Sequence, residues 1–331
     1  MMGFHANHPR AILMLPARFL TVTLNPTLDV STSVARLIDH EKLRCQGEQE
    51  QVGGGGINVA QVIHSLGAHC QAYLPCGGFR GQDIVKRLHA DGIDCLLSGI
   101  GQENRQCFTV YESETGHEYR FILPGPTFSD SEWQDAIRTI TQNLPSEFLV
   151  LSGSLPPGVP DHFYAELIKQ VREQQANLRI VVDTSGEPLA LALAAGVHMI
   201  KPSREEFCRL VGHTPSDDAA FVHLCKQLIA QGRTHLIALT LGQAGSLVIT
   251  ADQAIKIHPL PVKVTSTVGA GDSFVGGFIW ALAQNMDIAT AARIGTAAAA
   301  AALQTQGKLQ FEKALILSMS QAVRLQTLDL P

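Results

Sequence analysis

No cysteine in this chain stands three positions from another, and the seven present (Cys45, Cys70, Cys76, Cys95, Cys107, Cys208 and Cys225) form an odd set. That pattern argues against both a disulfide framework and a zinc site, and for reduced, buried thiols in a cytoplasm. Charge is also sparse: 25 Lys and Arg against 30 Asp and Glu leave a net charge of −5. Nothing global therefore attracts nucleic acid or an acidic membrane, and an anionic substrate needs a local cluster of basic groups. Long apolar runs are missing too. Ala11–Ala17 is broken by Pro16 and followed by Arg18, which makes it neither a membrane span nor a signal-peptide core. Residues 1–17 read as a loose extension, with Met14 an alternative start.

What the chain does have is a 45% apolar composition over 331 residues, enough for a large undivided α/β core. Phe19–Leu24, Phe148–Leu151 and Ile180–Val182 read as buried strands, the last ending at Asp183. His198–Ile200 runs into KPSREEF, and Leu236–Leu239 into TLGQAGS. Ile57–Leu66 (closed by Gly67), His162–Gln174, Phe274–Ala283 and Ile288–Leu303 carry helical patterns. This alternation predicts a mostly parallel sheet covered on both faces, with ligands at the carboxyl ends of its strands. Two segments, 29–51 and 104–123, break the pattern with polar alternation and an E-T-G-H turn. They predict a small β-sheet lid, whose exposed edges invite a second copy and hence a homodimer. No linker or repeat divides the chain, so 18–322 is expected to be one domain and 323–331 a tail.

The chemistry gathers in glycine-rich turns. GGGGIN at 53–58 lacks the Gly-Lys-Ser/Thr of a P-loop, and no acidic residue stands where a dinucleotide fingerprint needs one. It still lets a ligand approach backbone at Gly54, with Asn58 offering a donor and an acceptor; a plain structural turn is the alternative. Asp29, in NPTLD, suits a sugar hydroxyl or an Asx-turn. Lys42, Arg44, Arg105 and Arg120 fall in the two lid segments, where they form either solvated charges or a phosphate clamp. Glu206, in SREE, is a water-mediated metal ligand or an ordinary first-turn carboxylate. Thr240 and Gly242 suggest a nucleotide-side loop. In STVGAGDSFVGG (266–277), Gly269, Ala270 and Gly271 would turn successive amides into one anion hole. Asp272 beside them can accept a proton in phosphoryl transfer, although a carboxylate there is by itself also a helix cap.

GGGGINVA followed by Gly67 and Gly77, with STVGAGDSFVGG far downstream, resembles the two signatures of the ribokinase-like, phosphofructokinase-B carbohydrate kinases. Order and spacing match over about residues 19–310. The resemblance implies a three-layer ribokinase-like fold, a β-lid that forms a dimer clasp, and ATP- and magnesium-dependent phosphorylation of a sugar hydroxyl. It implies Asp272 as base; Asp29, Gly54, Asn58 and Ser154 around the sugar; and Lys42, Arg105 and Arg120 on its phosphate. Thr240, Gly242, Thr267 and Gly269 would lie on the ATP side, with Lys201, Ser203 and Glu206 near phosphates and magnesium, and Ser266 and Val268 where a potassium ion binds. EKLRC, EYRFILPG, SGSLPPGV and VDTSGE are similar to segments of the phosphofructokinase branch. This implies fructose 6-phosphate as acceptor, with tagatose 6-phosphate and fructose 1-phosphate as alternatives and a silent sugar-phosphate-binding regulator as the rival class. Two departures stand out: Ser203 replaces the Asn of the family's N-x-x-E motif, and Lys308-Leu309 match its ending only loosely.

Overall fold

A computed structural model describes residues 17–305 and 309–328; residues 1–16 of the extension expected at 1–17, residues 306–308 (Lys308 among them) and residues 329–331 lie outside the described residues. The strands are β1 (Phe19–Val22), β2 (Thr27–Val34), β3 (Gln46–Gly53), β4 (Cys70–Cys76), β5 (Asp94–Gly99), β6 (Arg105–Glu112) and β7 (Glu118–Phe121). They continue with β8 (Phe148–Ser152), β9 (Arg179–Asp183), β10 (Val197–Ile200), β11 (Thr234–Thr240), β12 (Ser246–Ile249), β13 (Ala254–Ile257) and β14 (Leu325–Leu328).

One sheet has ten strands in the order β14-β13-β12-β11-β10-β9-β8-β1-β4-β5. From β5 to β11 every pairing is parallel; β11 to β14 pair antiparallel. Successive side chains of a strand point to opposite faces, and the apolar run of β8 divides accordingly. Phe148 and Val150 join the core beneath the helices Gly55–Ser65, Ala270–Ala283 and Ile288–Leu303. Leu149 and Leu151 join the core against Phe163–Gln174 and Asp218–Ala230. A strand buried on both faces has to be apolar at every position, which is why these runs are continuous rather than alternating. The result is the three-layer architecture.

Residues 27–53 and 105–121 form a separate sheet in the order β3-β2-β6-β7, matching the two excursions. Its β2–β6 pairing is parallel, and both outer pairings are antiparallel. Phe108, Tyr111, Phe121 and Ile122 leave large apolar surfaces exposed on and beside it.

The expected tail is corrected. Leu325–Leu328 pairs with β13 as β14 of the main sheet, from Leu328 opposite Ala254 to Leu325 opposite Ile257. Val323, 1% exposed, packs into the core just before it. LQTL is too short for alternation to identify it, but β13 offers a row of unpaired backbone groups that a short segment can satisfy.

At the opposite end of the strands from their ligand-facing termini, His198 lies against Phe148 and His235, with ring centroids 6.5 and 5.7 Å away. Burial, then His235, Arg179 and Arg172, push its pKa down to about 4 from 6.5. The folded protein therefore keeps His198 neutral where the unfolded chain protonates. Its contribution is complete above about pH 6.5 and is lost as pH falls towards 4. Discounted for partial exposure, the loss is about 1–2 kcal/mol. Urea denaturation of wild type and His198→Gln at pH 7 and pH 5 checks this: the wild type is expected to lose more stability than the variant between the two.

Candidate active site

The glycine run is where the lid joins the core. β3 ends at Gly53, and Gly54, with φ of 136°, caps the helix Gly55–Ser65. A Cβ on Gly53 would lie 2.1 Å from Asp29 Oδ2. One on Gly55 would lie 2.2 Å from Ser152 Oγ and 3.2 Å from Asp272 Oδ1. The backbone threads between two carboxylates too closely for any side chain. Neither Gly54 nor any other side chain caps this helix at its N-cap position; Thr23 Oγ1 accepts the Ile57 N–H at 3.0 Å instead.

The second glycine turn settles the ambiguity over Asp272. Gly269, with φ of 73°, is the N-cap of Ala270–Ala283, and no side chain caps it. Asp272 sits in the first turn, but its Oδ2 accepts from Asn58 Nδ2 at 2.8 Å rather than folding back on its own helix. The first backbone bond at this terminus runs from Ser273 N–H to Gly269 O at 2.8 Å. The amides of Ala270, Gly271 and Asp272 have no acceptor among the described residues. These donors and the helix dipole together favour negative charge beside the carboxylate. Burial pushes the Asp272 carboxyl above its ordinary range, while the Asn58 amide and the Lys201 ammonium pull the other way.

Lys201 completes this centre. Its side chain is 8% exposed, and Nζ lies 3.2 Å from Asp183 Oδ1. A Cβ on Gly271 would approach Nζ to 3.0 Å. Burial alone would lower the Lys201 pKa; Asp183, Asp272 and Glu206 outweigh it, so the ammonium stays charged. Burial also raises Asp183, against the attraction of Lys201. One buried cation thus serves three carboxylates.

On the expected sugar side, Thr27 Oγ1 donates to Asp29 Oδ1 at 3.1 Å. Burial raises the Asp29 pKa, and Thr27, Arg105 and Arg120 oppose the shift. Both arginines therefore lie within electrostatic reach of Asp29. Arg105 donates to Asn25 O at 3.0 Å and to Leu123 O at 3.4 Å. Asn25 Nδ2 reaches Ser154 Oγ at 3.5 Å. Asn25 Oδ1 and Arg105 Nε are buried without a hydrogen-bond partner, a donor and an acceptor at one place. Lys42 is not brought to this group: it is exposed in the segment between β2 and β3.

On the expected nucleotide side, Ser203 and Glu206 form a reciprocal capping box: Glu206 N–H donates to Ser203 Oγ at 3.2 Å, and Ser203 N–H to Glu206 Oε2 at 2.8 Å. The serine that departs from the family's asparagine is thus engaged in starting the helix Arg204–Val211. Thr240 pairs with Ser203 in an isolated bridge, and Gly242 opens a short turn with φ of 59°. Thr267 is exposed on the approach to the GAGD turn. Ser266 Oγ accepts the Val268 N–H at 3.2 Å, and neither residue's carbonyl accepts a backbone hydrogen bond among the described residues. No cluster of three His, Cys, Asp or Glu side chains suited to a metal occurs among them. Glu206 Oε1, with no hydrogen-bond partner among them, fits magnesium, an ion that takes one or two carboxylates and completes its shell with water and substrate phosphates.

Sequence reasoning passed over Asn25, Ser152 and Asp183. Each follows or closes a strand at its carboxyl end, and that placement was the signal that could have found them.

Comparison with known proteins decides the family. The pfkB family carbohydrate kinase model matches residues 25–313. The chain belongs to that family. It is 35% identical over 293 residues to the ATP-dependent 6-phosphofructokinase isozyme 2 of Escherichia coli, covering 88% of this chain and 94% of that one. It is 31% identical over 285 residues to a 1-phosphofructokinase of Xanthomonas campestris pv. campestris, covering 84% and 88%. Its fold superposes on the crystal structure of phosphofructokinase-2 from Escherichia coli in complex with potassium, with a TM-score of 0.87 and 32% identity over 92% of this chain and 99% of that one.

Because Asn58 holds down the pKa of Asp272, removing its amide raises that pKa. For a base at Asp272, which has to be deprotonated to act, the acid limb of the kcat/KM profile of Asn58→Ala is expected at higher pH than in wild type. Initial rates from pH 5 to 8 measure the position of the limb independently of its height.

Proposed function

We propose that the protein is an ATP-dependent 6-phosphofructokinase. It phosphorylates the 1-hydroxyl of fructose 6-phosphate to give fructose 1,6-bisphosphate and ADP, a step of glycolysis in the cytoplasm. The observation that carries this reading is Asp272, an uncapping carboxylate held by Asn58 beside free helix amides. The relatives add that this kind of chain includes ATP-dependent 6-phosphofructokinases.

In this reading the sugar enters beneath the lid. Asp29, Gly54, Asn58 and Ser154 hold its hydroxyls, and Arg105 and Arg120 meet its phosphate, with Lys42 on a neighbouring lid segment. The guanidinium of Arg105 is anchored beside the site by Asn25 O and Leu123 O. Asp272 takes the proton of the attacking hydroxyl as the γ-phosphoryl group moves across. The amides of Gly269, Ala270 and Gly271, with the buried charge of Lys201, face the negative charge that spreads over the phosphoryl oxygens. Thr240, Gly242 and Thr267 line the nucleotide side with Ser203. Magnesium, held by Glu206 through water, neutralises nucleotide phosphate charge when bound; a potassium ion is assigned to the carbonyls of Ser266 and Val268. The lid's exposed Phe108, Tyr111, Phe121 and Ile122 support a homodimer formed through it. No helix among the described residues is long and apolar enough to cross a membrane.

Two measurements test the proposal. Purified enzyme with ATP and magnesium, assayed on fructose 6-phosphate, fructose 1-phosphate and tagatose 6-phosphate, is expected to show its highest kcat/KM on the first. A preference for fructose 1-phosphate would move the assignment to 1-phosphofructokinase, and no ADP release with any sugar would leave a silent binder. Asp272→Asn is expected to lose about 10³-fold in kcat with its melting temperature nearly unchanged. Near-wild-type turnover would remove Asp272 as the base.

A further inference from the structure

Asn104 is 0% exposed and lies immediately before Arg105, where the chain leaves the core sheet to enter lid strand β6. A buried amide is tolerated only when its polar atoms find partners, and here each of them has one. Its Oδ1 accepts the Gly77 N–H at 2.8 Å, its Nδ2 donates to Pro75 O at 3.0 Å, and its N–H donates to Gly77 O at 3.1 Å. Its own carbonyl accepts from Arg80 Nη1 at 2.5 Å. One residue earlier, Glu103 Oε1 accepts the Arg80 N–H at 3.0 Å, and Glu103 Oε2 lies 3.6 Å from the Arg80 guanidinium. Residues 103–104 are thereby fastened to the end of β4 and to the first turn of the helix Gly78–Ala90. The seat has no slack. A Cβ on Gly81 would lie 2.4 Å from Asn104 Oδ1, and one on Gly77 would lie 2.0 Å from Gln102 O.

We infer that Asn104, clamped by Arg80 and seated against Gly81, is a positioning residue that fixes the start of β6 and so holds Arg105 in place for the sugar phosphate. The inference rests on the kinase reading above, in which Arg105 meets that phosphate. The latch touches neither substrate. Its effect reaches the site through the single peptide unit that joins Asn104 to Arg105, and a displacement of about 1 Å in such a contact is enough to weaken it. β6 also pairs along its whole length with β2, which carries Asp29. A slip at Asn104 therefore loosens the end of that pairing at Arg105, opposite Thr27, while Asp29 further along β2 is also held by Thr27 and the close approach of Gly53.

Asn104→Leu removes the side-chain bonds while keeping the branching and heavy-atom count of the side chain. Gly81→Ala pushes on the same oxygen from the other side, and Arg80→Ala releases the backbone carbonyl, so a folding failure in one variant leaves two others. Steady-state kinetics of each, alone and combined with Arg105→Ala, form the test. The KM for the sugar phosphate is expected to rise about 10-fold or more, while the KM for ATP and kcat stay within about threefold. On the Arg105→Ala background the same substitutions are expected to add little, because the residue they position is gone. A lowered melting temperature with unchanged sugar KM, a parallel fall in kcat and both KM terms, or full additivity with Arg105→Ala overturns the inference. If Arg105→Ala itself raises the sugar KM while the latch variants do not, the latch fails and the kinase reading stands. A wild-type enzyme inactive on every sugar phosphate overturns both.

Discussion

The centre of this molecule depends on one hydrogen bond, from Asn58 to Asp272, between residues 214 apart in the chain. Each partner sits in the first turn of a helix led by glycines and left uncapped by any side chain at its N-cap. Bringing two such termini together would concentrate positive dipole ends and leave polar groups unmatched. The Asp272 carboxylate, held by Asn58, supplies the compensation, and the Lys201 ammonium is balanced in turn by Asp183, Asp272 and Glu206. The same arrangement raises the Asp272 pKa by burial without removing its access to a reacting group. A buried carboxylate and free amide donors on one helix turn follow from that single constraint.

The helices that carry these residues are packed for rigidity. Gly276 and Gly277 lie where a Cβ would come within 2.8 Å of Val62 and 3.0 Å of Ile294 O. Ala270–Ala283 can therefore approach both Gly55–Ser65 and Ile288–Leu303 at backbone distance. The alanine-rich sequence of the last helix belongs to the same close approach rather than to composition alone. Fixing Asp272 to within a few tenths of an ångström needs such packing, because a loose helix would let the carboxylate drift from Asn58.

Much of the architecture was readable. Runs such as FLVL announce strands buried on both faces, and the polar excursions at 29–51 and 104–123 announced the lid. Helix starts were read too late, at Ile57 and Phe274 rather than Gly55 and Ala270, because glycine is a poor helix former and its run hides the first turn. That delay left Asp272 looking like a possible cap, although Gly269 holds the cap position. Asp183 and Asn25 were missed because placement at a strand end does not by itself show what each meets: a buried ammonium for one, an arginine of the lid for the other. Ser203 stood out in the sequence only as a departure from the family's asparagine; the fold adds that its hydroxyl starts a helix. β14 escaped because four residues carry too little periodicity to be seen without the strand they join.

The central claim is that Asp272 faces the acceptor hydroxyl while the lid holds the far end of the sugar phosphate. A crystal structure of the enzyme with fructose 6-phosphate, ADP and magnesium tests it most directly. The account predicts the 1-hydroxyl oxygen within about 2.6–3.2 Å of an Asp272 carboxylate oxygen, with the 6-phosphate on Arg105 and Arg120. A sugar phosphate bound with its 1-hydroxyl turned away from Asp272, or with its phosphate remote from both arginines, would contradict it.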